Sequence, residues 1–328
     1  MSTEAGRTKI SNGGTLVPSS MPTCGCCGSF DHSEVGHKRG WILRKCKNCG
    51  VFFVWPQPRK EELARIYSGK TGYYATAAIN LEKAPGSPAH FLAEILERAG
   101  VKGGRFLDFG CSNGHVVSGM LKLGWHAIGI DMNPETLTIA RRHGLQVVLG
   151  DVEAQPFLEG AFDAINMGDI LEHVTSPVGC LRAAKRLLRP RGVVVINTPN
   201  SDCGFARSSL FIARAVGFPW PHSEAPYHLY EFNPMSLTVL LQNLGYTIEV
   251  VRRYGRRGFR YTVGASGYFD ELKKRLKRKG RYRFDRSLVG SLPMLVIVAS
   301  VLLPFYLYGI LSDRLNDTGC NLTVVARA

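Results

Sequence analysis

Residues 105–131 constrain this chain more than any other stretch. A short apolar run, 105–109, predicts a buried strand and leads into Gly110-Cys-Ser-Asn-Gly114. An apolar helix over 116–123 follows, then a second strand over 127–130 that ends at Asp131. Strand, glycine loop, helix and strand in that order form the nucleotide-binding half of a doubly wound sheet. Gly110 and Gly114 let a ligand approach the backbone closely. The alternation of strand and helix continues to about residue 254, with strands expected at 146–149, before Asp169, at 193–196 and at 246–254, and a last one at 321–327.

A glycine loop alone is a weak signal, and three acids sharpen it. Asp108 ends the first strand, where an anion suits an amino group or its water and repels a pyrophosphate. Asp131 is placed to accept both hydroxyls of a ribose in charge-assisted bonds. Asp151 follows the third strand, where it can accept from the exocyclic amine of adenine while Val152 donates its backbone N–H. The set points to S-adenosylmethionine (SAM) rather than a dinucleotide.

The motifs at 107–114, 129–131, 150–153, 162–173 and 187–192 together resemble the class I SAM-dependent methyltransferase family. The resemblance spans 106–254 and returns at 321–327. It implies an α/β, Rossmann-like class I methyltransferase sheet, with SAM held by Asp108, Gly110, Gly114, Asp131, Asp151 and Val152; Met132 and Asp169 are further candidates for the cofactor site. Ser112 departs from the family, which usually has glycine there; a side chain this small is expected to preserve binding. More loosely, the whole chain resembles a bacterial subgroup found with glycan and natural-product biosynthesis and related to the ubiquinone-biosynthesis methyltransferases.

In front of this block lie two cysteine pairs, Cys24/Cys27 and Cys46/Cys49, each a C-x2-C turn followed by glycine. The chain has nine cysteines and no secretion signal, so the pairs read as metal ligands rather than disulfides. Four thiolates suit tetrahedral Zn²⁺ in a closed structural site, on a zinc ribbon with short strands near 40–44 and 51–55. The spacing of Cys26 excludes it as a replacement for Cys27.

Methyl transfer needs an aligned nucleophile and often a base. Two histidines qualify: His173, after the fourth strand, and His228, in a long insert after the fifth. Glu172 is placed to orient His173 or to bond the cofactor loop, and His222 is a weaker candidate. The prolines and aromatics of 201–234 suit a semi-rigid lid over an apolar or planar substrate. Tyr73 and Tyr74 either close over the cofactor or pack as a hinge, and Cys111 reads as packing.

The net charge of +15 is concentrated: residues 252–286 hold fourteen Lys/Arg and three Asp/Glu, a net of +11. The apolar run 288–311 follows. A single membrane crossing there would strand the last strand on the wrong side of a bilayer from its sheet, and Pro293 and Pro304 break a straight helix. An apolar helical insertion before the last strand, dipping into an anionic membrane surface, is therefore expected, each nearby cation contributing roughly 1 kcal/mol. Packing of the run within the protein or a dimer is the competing expectation.

The expected organisation is a flexible tail (1–22), a zinc ribbon (23–58), a helical linker (59–87), a SAM-binding core (88–254) with its lid (201–234), the insertion (255–319) and the last strand (320–328). The expected activity is O-methylation of a small-molecule or lipid-linked acceptor, such as a glycan or quinone-type phenol, at the cytoplasmic face of a membrane. Two alternatives stay open: a zinc-ribbon RNA methyltransferase, which the basic stretch suits, and a non-catalytic SAM-binding protein.

Overall fold

The structure is a computed structural model, and it describes residues 9–10, 16–17, 22–59, 62–63, 88–151, 156–216, 219–255, 307–308, 311–313 and 318–328. Tyr73, Tyr74, Val152, nearly all of the linker, the basic stretch beyond 255 and most of the apolar run lie outside the described residues. Within the tail, β1 (Lys9–Ile10) and β2 (Leu16–Val17) form an antiparallel pair.

The cysteine-rich module folds as β3 (His32–Lys38), β4 (Trp41–Cys46) and β5 (Phe52–Trp55), an antiparallel meander. The main block then runs α1 (Pro88–Arg98), β6 (Arg105–Phe109), α2 (His115–Lys122), β7 (His126–Asp131), α3 (Pro134–Arg142), β8 (Val147–Leu149), β9 (Phe162–Gly168), α4 (Pro177–Leu187) and β10 (Leu188–Pro199). It continues with α5 (Gly204–Val216), β11 (Tyr230–Glu231), α6 (Pro234–Asn243), β12 (Thr247–Tyr254) and β13 (Asn321–Arg327).

The seven-stranded sheet has the order β12-β13-β10-β9-β6-β7-β8. Its strands β10, β9, β6, β7 and β8 pair in parallel, and β13 is antiparallel to both of its neighbours. After β6 the chain builds outward through β7 and β8, then returns to lay β9 on the other side of β6. Ligands of doubly wound sheets bind beyond the strand ends at such a reversal.

Side-chain alternation splits the core into two layers. Leu107, Phe109, Ile165, Val194 and Ile196 pack with α4 and α6 on one face; Phe106, Ala164, Val193, Val195 and Val325 pack with α1 and α2 on the other. Strands buried on both faces carry continuous apolar runs, as Val193–Val195 does. Side chains cap the helices: Asn133 accepts from Glu135 and Thr136 amides, Ser176 from Gly179, and Asn233 forms a reciprocal capping box with Ser236.

The module does not stand apart in front of the main block. β11 pairs with β5, so its sheet has the order β11-β5-β4-β3. Residues 51–54 are all buried. Val51 and Phe53 join the core layer of α6, while Phe52 and Val54 pack with Phe205, Ala206 and Trp220. The stretch 201–234, expected as a semi-rigid lid, supplies α5 and β11, which are part of this packing.

Candidate active site

The carboxyl ends of β6, β7 and β9 bring together much of the cofactor set expected from the sequence. Asp108 is buried in β6 and accepts from Asn166 Nδ2 on β9 at 2.7 Å. Burial pushes its carboxyl up to about 7, against the pull of Asn166 and with a further push from Asp131. Asp131 ends β7 and accepts from the Ser112 and Asn133 amides, each at 2.8 Å, so one carboxylate ties the glycine loop to the next turn. Burial raises its pKa too, and those amides oppose the rise.

The loop conformation explains its residues. Gly110 and Gly114 have left-handed φ of 73° and 80°, and a Cβ at Gly110 would stand 2.0 Å from Ile170 Cδ1. Ser112 also adopts a left-handed φ, 48°, which accounts for the family's preference for glycine at this point. Cys111 packs against Gly129, and burial keeps its thiol protonated. Asp151 follows β8 and is half-buried. Gly150 N donates to Asp131 O at 3.0 Å, which holds that strand end against β7. Met132 is 69% exposed, so it offers a surface rather than a closed wall.

Asp169 leaves β9 with a left-handed φ of 52°, fixed by its N–H to Asn197 O at 2.8 Å. Asn197 Oδ1 accepts from Tyr254 Oη at 2.6 Å and Thr323 Oγ1 at 3.0 Å, and its Nδ2 reaches Asp169 Oδ1 at 3.4 Å. Burial raises the Asp169 pKa, and the nearby His228 opposes that. Four strands, β9, β10, β12 and β13, thereby set the position of one acid at the sheet's reversal.

The two candidate bases lie side by side, with ring centroids 4.8 Å apart. Their environments drive them in opposite directions. Burial and the charge of His228 push His173 down to about 3, so it is neutral. Its Nδ1 lies 2.9 Å from Tyr227 O, a carbonyl that only accepts, so Nδ1 carries the hydrogen. Burial alone would depress His228 as well, but Glu231, Glu172 and Glu224 outweigh it and hold the ring near 9, an imidazolium at neutral pH. Its nitrogens stand 3.6 Å from Glu231 and 3.7 Å from Glu224. Glu231 also lies 3.7 Å from His222. Glu172 is buried, and burial and Asp169 push it up to about 8. Glu172, His173 and His228 offer atoms within 4.8 Å of one another.

The four sulfurs of Cys24, Cys27, Cys46 and Cys49 likewise lie within 4.8 Å of one another. Each pair closes the same turn: Gly28 N donates to Cys24 O at 2.9 Å and Gly50 N to Cys46 O at 3.0 Å, with both glycines left-handed. Cys26 is buried beside this group but is not one of the four.

With this geometry in place, likeness to known proteins becomes informative. Residues 81–251, just over half of the chain, match the sequence profile of the methyltransferase domain family. The chain belongs to that family. It is a SAM-dependent methyltransferase. The ubiquinone biosynthesis O-methyltransferase of Xanthomonas oryzae pv. oryzae is 32% identical to it over 184 residues, 51% of this chain and 74% of that protein. The enzyme of the same description from Pseudomonas aeruginosa is 37% identical over 115 residues, 33% of this chain and 50% of that protein. Among solved structures, the 1,6-didemethyltoxoflavin-N1-methyltransferase of Burkholderia thailandensis is 17% identical, with a TM-score of 0.48 over 88% of this chain and 96% of that one.

The methyltransferase's donor side fits SAM on its own chemistry. Among the described residues Asn166 Oδ1 is buried with no partner beside the Asp108 carboxyl, and a cationic ammonium would satisfy both. Asn166, Glu224 and Glu231 are candidate site residues that sequence reasoning missed. Asn166 left a signal: a polar side chain inside an otherwise apolar buried strand must find a partner.

Proposed function

We propose that the methyltransferase moves a methyl group from SAM to a hydroxyl of an amphiphilic, quinone-type or lipid-linked acceptor at an anionic membrane surface. The observation that carries this reading is the split pair of histidines at the sheet's reversal: a neutral imidazole beside an imidazolium held by carboxylates. SAM supplies an electrophilic methyl on a sulfonium. The chain does the rest. Asp108 and Asn166 take the ammonium end of SAM, Asp131 the ribose, and Asp151 with Val152 the adenine, while Met132 and Asp169 border the ligand. His173 Nε2, unprotonated because Nδ1 faces Tyr227 O, takes the proton that the acceptor hydroxyl sheds as the new C–O bond forms, since a ring held near 3 is too weak a base to ionise the hydroxyl beforehand. Glu224, whose charge favours the His173 imidazolium, stabilises it once formed. His228 stays charged and orients the acceptor oxygen. Zn²⁺ in the four-cysteine site has a structural role, since four thiolates leave no open position.

Three observations favour the acceptor class. The relatives are named ubiquinone biosynthesis O-methyltransferases. The end of the apolar run shows Leu307, Tyr308 and Leu311 half or more exposed. Residues 252–286 carry the basic charge that an anionic headgroup layer attracts. Among the described residues no helix is long and apolar enough to cross a membrane.

The test supplies SAM and a prenylated catechol in vesicles containing anionic lipid and follows S-adenosylhomocysteine. Wild-type turnover is expected, with the His173→Ala variant losing about 10²-fold or more in kcat while SAM affinity holds. Unchanged turnover in His173→Ala removes it as the base. Equal activity with and without anionic lipid removes the membrane surface.

A further inference from the structure

The four-cysteine module touches the methyltransferase at one place above all, the segment that carries His228. β5 pairs with β11 in the register Phe53 to Tyr230 and Phe52 to Glu231. Just before this ladder, Val54 N donates to Leu229 O at 2.9 Å. His228 and its ion-pair partner Glu231 thus sit at the edge of a sheet whose other three strands all belong to the module. From the opposite side, the Leu229 and Tyr230 amides donate to Glu172 O at 2.7 and 3.2 Å. The segment is clamped between the module and the turn after β9.

Side chains of the module reach further into the same stretch. Lys38, only 6% exposed, donates to Trp220 O at 3.1 Å and to Ser223 O. Arg39 lies over the Tyr227 ring, 5.3 Å from its centroid, and Tyr227 O is the carbonyl that fixes the tautomer of His173. Gly25, inside the first cysteine turn, leaves no room for a Cβ because Tyr230 Oη would stand 2.2 Å from it. On the far side, Asn233 Nδ2 donates to Gly50 O in the second cysteine turn at 2.9 Å. Both cysteine turns are therefore fitted to the two ends of residues 230–233.

A ribbon this small has too little core of its own to fix these contacts without a cross-link. The loop 24–49 supplies one when its four thiolates close on a metal. We propose that the metal-closed cysteine module is the positioning element for the acceptor half of the active site, holding residues 220–232, and with them His228 and Glu231, in register with His173. This rests on the active-site reading given above, though not on the identity of the acceptor. Lys38 and Phe53 are positioning residues in this scheme; neither touches the cofactor end of the sheet.

The experiment compares the full chain with Cys46→Ser, Cys46→His and Lys38→Met, reading zinc content, SAM affinity by calorimetry and amide hydrogen exchange. The wild type is expected to carry about one zinc per chain. In Cys46→Ser zinc is lost and exchange across 220–232 rises by about tenfold or more, while exchange across 105–131 and SAM affinity change less than about twofold. Cys46→His keeps a ligand nitrogen, so zinc and protection of 220–232 return together. Lys38→Met keeps zinc yet loosens 220–232, and it carries the test if Cys46→Ser does not fold. Unchanged exchange at 220–232 in both Cys46→Ser and Lys38→Met overturns the proposal. So does a parallel loss of protection at 105–131 in both, which makes the module a general stabiliser. Absence of SAM binding in the wild type defeats the donor-site assignment instead, and the exchange pattern still decides the role of the module.

Discussion

At the scale of single residues, the site works by setting like groups in unlike surroundings. Asp108, held near 7 by burial, would bind the proposed ammonium only when ionised. A raised carboxyl pKa means that the neutral form prevails below it. SAM affinity is therefore expected to fall by up to about tenfold per pH unit below 7 and to level off above it. Calorimetry across that range checks this, and Asp108→Asn should bind weakly with a flat profile. His228 has the opposite sign. Its folded pKa of about 9 is above the ordinary value, so its stabilising charge is complete below about 6.5 and is lost as pH rises through 9. Replacing it with Gln leaves the Glu231 and Glu224 carboxylates without their cation and is expected to cost about 3–5 kcal/mol, read from the denaturant midpoint. Asp108 and Asp131 are legible in the sequence because each ends a strand beside a glycine loop. Glu224 and Glu231 are not, since their meaning depends on two histidines that approach only after folding.

At the scale of elements, most strands of the main sheet lie within a residue or two of where apolar periodicity places them. The last strand, 321–327, matches in full. The main omission is α5. Its buried residues Phe205, Ala206, Ser209 and Ala213 fall at helical spacing, but the surrounding prolines and aromatics read more readily as a lid. α6 is anchored by a capping box whose Asn233 also reaches the second cysteine turn. Asn233→Ala therefore removes a cap and a bridge, and an equilibrium unfolding curve is expected to show a loss of about 1–2 kcal/mol. In the glycine loop, Gly110→Ala meets both a left-handed backbone and Ile170. Its cost is expected at about 2–4 kcal/mol from strain and overpacking together, visible as a lowered Tm.

At the scale of the molecule, the cysteine module shares a core with the main sheet: Cys46, Val51 and Phe53 belong to the same buried cluster as Leu107 and Leu237. The run Val51-Phe-Phe-Val54 carries that information in the sequence, because four consecutive buried apolar residues require cover on both faces of a strand. What covers them could not be read from sequence, since β11 joins the module from a segment nearly 180 residues away along the chain. Removing residues 1–58 would uncover Phe205, Trp220, Leu229 and Tyr230, so the truncated chain is expected to aggregate rather than to persist as an active core, as size-exclusion chromatography would show. The proposed reaction is methyl transfer from SAM to a lipid-like hydroxyl. It is tested most directly by incubating the protein with methyl-labelled SAM and an extract of its native cells, then separating lipid, small-molecule, protein and nucleic-acid fractions. Label is expected in the lipid fraction and is lost with His173→Ala; label in RNA or protein instead would rule out a lipid-like acceptor.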